Sequence, residues 1–244
     1  MPAKQTFNLS AFADRLIAEK RKLDLAWTIK NMIGLQSISV DLRIALEACD
    51  ALAFSLDTPM NQPAEFRETS EAALMSYIVL LYARAAKTSS EERKQFDPLP
   101  YLNDAEKIVH KELCDLRDRA VAHYGTGGSY VGNWVREIAV LEVEGITVRT
   151  GALSRRQIID RHLIARAKTQ IERVIEIVDP IVAQRIAGVM EALNVEAKAD
   201  PEFYKEVHAH PLNVTLFLGN AESVVEMQNT PDGGRNRGAF GHSG

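Results

Sequence analysis

The segment MSYIVLLYA, residues 75–83, most constrains the fold, because it is apolar around nearly its whole circumference when read as a helix. It belongs to a longer helical pattern, EFRETSEAALMSYIVLLYARAAK, at residues 65–87. A helix that is apolar all round is normally buried on several sides. The rest of the chain is therefore expected to pack around this segment.

Helical periodicity continues on both sides of that segment. A first helix is predicted to begin at Ser10, whose side chain can cap it, and two separate helices follow at 24–35 and 39–56. Asn103 is expected to cap a helix that runs to His123. A long helix is expected to begin at Ser154, and Pro180 should bend or break it.

The period changes once, between residues 134 and 150. WVREIAVLEV and ITVRT are rich in β-formers, and Glu144 with Gly145 joins them, which predicts a β-hairpin. The predicted fold class is therefore all-α (mainly α), a helical bundle with one inserted hairpin. The predicted divisions are N-terminal helices at 1–37, the bundle at 38–212 and a C-terminal extension at 213–244, whose last part is expected to be disordered.

Composition excludes several classes of protein. The formal net charge of −4 on 244 residues argues against a broadly basic nucleic-acid coat, although it leaves room for a local basic site. The two cysteines, Cys49 and Cys114, form neither a disulfide framework nor a metal-binding spacing, so we expect buried free thiols. No apolar signal segment or membrane-length apolar run is found, which predicts a cytoplasmic protein without a membrane partner.

The stretch ELCDLRDRAVAHYGTGG, residues 112–128, carries the strongest chemical signal. On a regular helix, Leu113, Leu116 and their neighbours form an apolar stripe, and His123 projects along it within about 20° of Leu116. Arg117 lies about 120° around from His123 on the same regular helix. A purely structural interpretation is also open, because cations near a helix C-terminus are stabilised by the helix dipole.

Within that stretch, LRDRAVAHYG resembles the signature of the HEPN superfamily (higher eukaryotes and prokaryotes nucleotide-binding domains). Many members have an arginine, then Asn, Asp or His, and a histidine four to six residues after the arginine; Arg117, Asp118 and His123 match this pattern. The surrounding residues look like those of HEPN-like proteins in abortive-infection and toxin–antitoxin systems. The chain departs from one toxin subgroup, because Tyr124 directly follows the histidine instead of standing two places after it.

The resemblance implies a HEPN-like bundle over about residues 38–195 and metal-independent RNA cleavage at a homodimer interface, with no cofactor. It implies that His123 transfers protons, Arg117 holds the phosphate and Asp118 supports them, with RNA or a nucleotide as ligand and an antitoxin protein as a further partner. One alternative is a non-catalytic HEPN-like module that binds nucleotide or RNA, or acts as a scaffold. Another is a structural helical dimer without a ligand.

A second group of cations could follow the RNA backbone. If a helix begins at Ser154, Arg155, His162 and Arg166 lie within about 20° of one stripe. The alternative is a solvated face, in which Arg161 pairs with Asp160 or Glu172. His110 is expected to be exposed. The predicted RNA-binding residues are Arg119, Arg155, Arg156, His162 and Arg166.

Overall fold

The structure is a computed structural model that describes residues 5–58, 63–90, 93–118, 135–144, 147–156, 161–219 and 225. The described part is mainly α-helical with one two-stranded antiparallel hairpin, which confirms the predicted fold class. In chain order the helices and strands are α1 (Leu9–Ala18), α2 (Leu23–Asp57), α3 (Ala64–Ala86), a 3₁₀ turn (Leu99–Tyr101), α4 (Asp104–Leu116), β1 (Val135–Glu144), β2 (Thr147–Arg156), α5 (Arg161–Ala199), α6 (Phe203–His208) and α7 (Val214–Leu218).

The chain divides into two compact units. The first comprises Met1–Val40, Ser89–Phe96 and Glu176–Gly244, and its core contains Phe12, Leu16, Ile29 and Phe203. The second comprises Asp41–Thr88 and Asp97–Ile175, and it contains the stretch at 112–128, of which residues 112–118 are described. The core of the second unit consists of fully buried side chains from four helices, namely Leu42, Leu52, Ile78, Tyr82, Leu113, Leu163 and Ile171.

Helix α3 confirms the prediction made from its apolar sequence. Its buried positions fall on several sides, and they include Met75, Ile78, Val79 and Leu81. Beyond the first two turns, one narrow stripe stays exposed along the helix, at Ala73, Tyr77, Leu80 and Arg84. No helix in the described part of the chain is both long and apolar enough to cross a membrane.

Two predictions about helix ends were wrong, and of the bend or break expected at Pro180 only the break is excluded. Asn8, and not Ser10, caps α1, because its side-chain oxygen accepts a hydrogen bond from the backbone N–H of Ala11. The segments predicted as two helices at 24–35 and 39–56 form the single helix α2, since no proline separates them. Pro180 lies inside α5 without breaking it, between the buried side chains of Val178 and Val182.

The hairpin is longer than predicted. Its two strands pair from Glu144 opposite Thr147 out to Val135 opposite Arg156, so that β2 extends six residues beyond the predicted end. Ser154 therefore lies in β2, and it does not begin a helix, because pairing with a ten-residue β1 outweighs the local capping signal. The predicted domain boundaries stay predictions, and the tail beyond residue 225 lies outside the described residues.

Candidate functional site

Arg117 and Asp118 directly follow helix α4, which is fixed at its start and along one face. Asn103 and Glu106 form a reciprocal capping box at the N-terminus of α4, as the predicted cap required. At the other end, the backbone of Arg117 and Asp118 is π-helical. Single π-helical turns inside or at the end of α-helices occur frequently at functional sites.

Asp118 holds two cations from different helices. Its Oδ1 accepts a hydrogen bond of 2.9 Å from Arg117 Nη1, and its Oδ2 accepts one from Lys87 Nζ. Lys87 directly follows α3 and lies 31 positions before Asp118 in the chain. We call these three side chains the Arg117–Asp118–Lys87 cluster. Arg117 Nε is enclosed and finds no acceptor among the described residues.

The cluster fixes the charges of its members. The Lys87 hydrogen bond, assisted by that of Arg117, holds the pKa of Asp118 below its usual value. The same bond raises the pKa of Lys87. Asp118 is therefore a carboxylate at neutral pH and cannot supply a proton there. Its chemical role in this arrangement is to hold and orient the two cations.

A buried hydrogen-bonded network lies on the inner face of α4, two turns before Arg117. Tyr82 Oη is 2.9 Å from His110 Nδ1, and Gln170 Nε2 donates to the same hydroxyl at 3.1 Å. Cys114 Sγ lies 3.8 Å from the other ring nitrogen, Nε2. His110 is only 8% exposed, so the prediction that it lies at the surface was wrong. It shares the helix face of Leu113, which explains its burial.

Donor counting fixes the directions within this network. The Gln170 amide N–H can only donate, so Tyr82 Oη accepts from it and directs its own proton to His110 Nδ1. Burial raises the pKa of Tyr82, which keeps the phenol protonated, and burial lowers the pKa of His110, which keeps the imidazole neutral. The neutral ring then carries its hydrogen on Nε2, towards Cys114. His110 is accordingly a structural residue that binds α4 to α3 and α5.

The second predicted group of cations is not assembled as expected. Arg155 and Arg156 lie on β2, whereas His162 and Arg166 lie on α5, so the four do not share a helix face. Arg166 Nη1 pairs with Glu112 Oε2 at 2.9 Å, and His162 is exposed. Arg161 pairs with Asp57 and, among the described residues, not with Glu172; Asp160 lies outside the described residues.

Both cysteines are buried free thiols, as predicted. Burial raises the pKa of Cys114 to about 11, so it is protonated at neutral pH and is a poor nucleophile. Among the residues that the structure describes, no group of three or more His, Cys, Asp or Glu side chains is placed to hold a metal ion.

The structure thus brings Arg117 and Asp118 together and adds Lys87, which sequence reasoning missed. No spacing rule connects Lys87 to Asp118, since only the packing of α3 against α4 places them together. The predicted residues His123 and Arg119 lie outside the described residues. No protein-family model, curated protein or solved structure significantly matches this chain.

Proposed function

We propose that this chain is a metal-independent endoribonuclease of the HEPN type, with Arg117 and His123 at its centre. The observation that carries the proposal is the Arg117–Asp118–Lys87 cluster, in which an ionised carboxylate holds the arginine of the motif at the end of α4. Asp118 orienting Arg117 agrees with the supporting role that the HEPN resemblance implies. The proposed setting is a cytoplasmic toxin or antiviral defence system.

The proposed reaction is an internal transesterification. The ribose 2′-oxygen attacks the adjacent phosphorus and loses its proton to a base, while the P–O5′ bond breaks and the leaving 5′-oxygen gains a proton. The products are a 2′,3′-cyclic phosphate and a free 5′-hydroxyl. His123 carries one of these proton transfers, because an ordinary imidazole titrates near pH 6.5.

The role of Arg117 follows from charge. The five-coordinate phosphorus of the transition state carries an additional negative charge on its non-bridging oxygens, and a guanidinium can donate two parallel hydrogen bonds to them. The Asp118 carboxylate uses one Nη1 donor and the Nε–H is enclosed, so that the remaining Nη N–H groups, which have no acceptor among the described residues, serve the phosphate. The proposed active form is a homodimer in which two copies of the motif meet.

RNA cleavage in the presence of EDTA tests the proposal. The wild type should cut single-stranded RNA, and His123→Ala should slow cutting by about 100-fold or more, the usual contribution of a general acid or base. Arg117→Ala should have an effect of similar size. Arg15→Ala removes an arginine of α1 that is paired with Glu19 and belongs to none of the predicted sites, so it should leave the rate within about twofold.

Three outcomes would count against the proposal. Cleavage that EDTA abolishes would indicate a metal-dependent enzyme. A larger loss for Arg119→Ala than for Arg117→Ala would mean that the wrong arginine has been assigned. A folded wild type that binds RNA or nucleotide without cutting would instead favour the non-catalytic HEPN-like binding or scaffolding module.

A further inference from the structure

We propose that Lys87 is a phosphate-binding residue of the same site and acts together with Arg117 on the RNA backbone, an assignment that rests on the proposed function. The HEPN-type motif does not include this position, which directly follows a different helix, α3. Its contribution arises from the fold, which places the end of α3 beside the end of α4.

The hydrogen bonds of the cluster place two cations next to each other. Lys87 Nζ and Arg117 Nη1 bond to the two oxygens of one carboxylate, so that both cations lie beside the same group. An ammonium group has three N–H donors, and only one of them points to Asp118. No other acceptor of Lys87 occurs in the part of the chain that the structure describes, which leaves the two others for a phosphate oxygen that approaches from solvent.

The burial of the acidic partner distinguishes Lys87 from Arg84, which lies one turn earlier on α3 and has a side chain that is itself 50% exposed. Arg84 binds both oxygens of Asp41, whose side chain is 5% exposed. Arg84 cannot leave that partner without abandoning a buried charge, which is costly. The side chains of Lys87 and Asp118 are 44% and 33% exposed, so their pairing can be shared with or exchanged for a solvent-borne anion.

The local charge favours an anion. Lys87 and Arg117 supply two positive charges, and Asp118 supplies one negative charge, which leaves the cluster with a net charge of +1. One RNA phosphodiester carries a single negative charge and would neutralise the cluster. The simpler role for these cations is to stabilise two helix C-termini. That role predicts an effect on stability without an effect on RNA binding.

The salt dependence of RNA binding separates these two roles. The probe is a fluorescent single-stranded RNA that is 2′-O-methylated at every position, so that it cannot be cleaved through its 2′-oxygens. Binding is followed by anisotropy across a series of salt concentrations for the wild type, Lys87→Met and Lys111→Met. Lys111 is a matched control because it is an exposed lysine on α4, paired with Asp115, and its loss changes the total charge equally.

A phosphate contact contributes about 0.7 to the slope of log K against log salt for single strands. Lys87→Met should therefore reduce the slope by about 0.7 for each Lys87 that contacts the RNA. Lys111→Met should leave the slope unchanged. Lys87→Arg should restore the wild-type slope, because the positive charge is kept. The proposal is overturned if Lys87→Met and the wild type have equal slopes, or if the two methionine variants reduce the slope equally. It is also overturned if the wild type does not bind the RNA.

Cleavage is measured separately, with unmodified RNA. If Lys87→Met reduces the salt slope while the wild type leaves unmodified RNA intact, the phosphate contact stands and the ribonuclease proposal fails. If the wild type cleaves RNA and the slope of Lys87→Met is unchanged, the ribonuclease proposal stands and the assignment of Lys87 fails.

Discussion

The substitution Tyr82→Phe removes one oxygen from the middle of the buried network beneath the candidate site. Tyr82 is fully buried, and its hydroxyl is the shared partner of His110 Nδ1 and Gln170 Nε2. Those two residues are themselves only 8% and 2% exposed. The change therefore leaves one buried acceptor and one buried donor without a partner, while the aromatic ring keeps its packing.

The expected cost follows from the two orphaned groups. Leaving one buried polar group unsatisfied costs about 1–3 kcal/mol. Two unsatisfied groups add their costs, and part of the sum is offset because the hydroxyl no longer has to be buried. The net effect lowers the free energy of unfolding by about 3 kcal/mol. For a chain of this length that corresponds to a decrease in Tm of about 6–12 °C.

Urea denaturation followed by circular dichroism measures this change, and an unaltered m-value shows that the unfolded state is unaffected. Tyr77→Phe is the matched control, since Tyr77 lies on the same helix with 40% of its surface exposed and should change stability by less than about 0.5 kcal/mol. If Tyr82→Phe costs no more than Tyr77→Phe, the assigned network does not hold α4 in place.

Three further results are expected. Acidification should destabilise the wild type more steeply than His110→Gln, because burial lowers the pKa of His110 in the folded state. The contribution of the neutral His110 to the free energy of unfolding is fully present above about pH 6.5, the pKa of an unfolded histidine, and is lost as the pH falls below that value. Parallel stability curves between pH 7 and 5 would refute that assignment. Arg84→Met should lower the free energy of unfolding in urea by about 3 kcal/mol, because it leaves Asp41 buried and charged. Adding Asp41→Asn should recover most of that loss, and additive losses in the double variant would contradict this expectation. Light scattering at micromolar concentration should give the mass of a dimer, and a monomer would exclude a site composed of two motifs.

Features that depend on neighbouring residues could be predicted from the sequence. Asn103 and Glu106 lie three residues apart, and that spacing alone predicts the capping box of α4. The apolar composition of α3 likewise predicts its burial, and the β-rich segment predicts the hairpin. In each case, the interaction that decides the structure occurs within a few residues or between adjacent segments.

Features that depend on distant partners could not be predicted. Ser154 has a good capping side chain, but β1 extends the neighbouring strand through it. His110 has a polar ring that suggests exposure, but Tyr82 and Gln170, on other helices, satisfy it inside the protein. Lys87 meets Asp118 only because α3 packs against α4. These errors arise where tertiary packing outweighs a local preference.

In the proposed reaction, RNA is cut by attack of its own ribose 2′-oxygen at the site of Arg117. The most direct measurement uses a defined single-stranded RNA in EDTA, with the cleavage position mapped first. The same RNA is then made with a single 2′-deoxyribose on the 5′ side of that bond. We expect cutting to stop at the substituted bond, and the natural substrate to yield a 2′,3′-cyclic phosphate. Cleavage of the substituted bond, or a product with a 3′-hydroxyl and a 5′-phosphate, would contradict it.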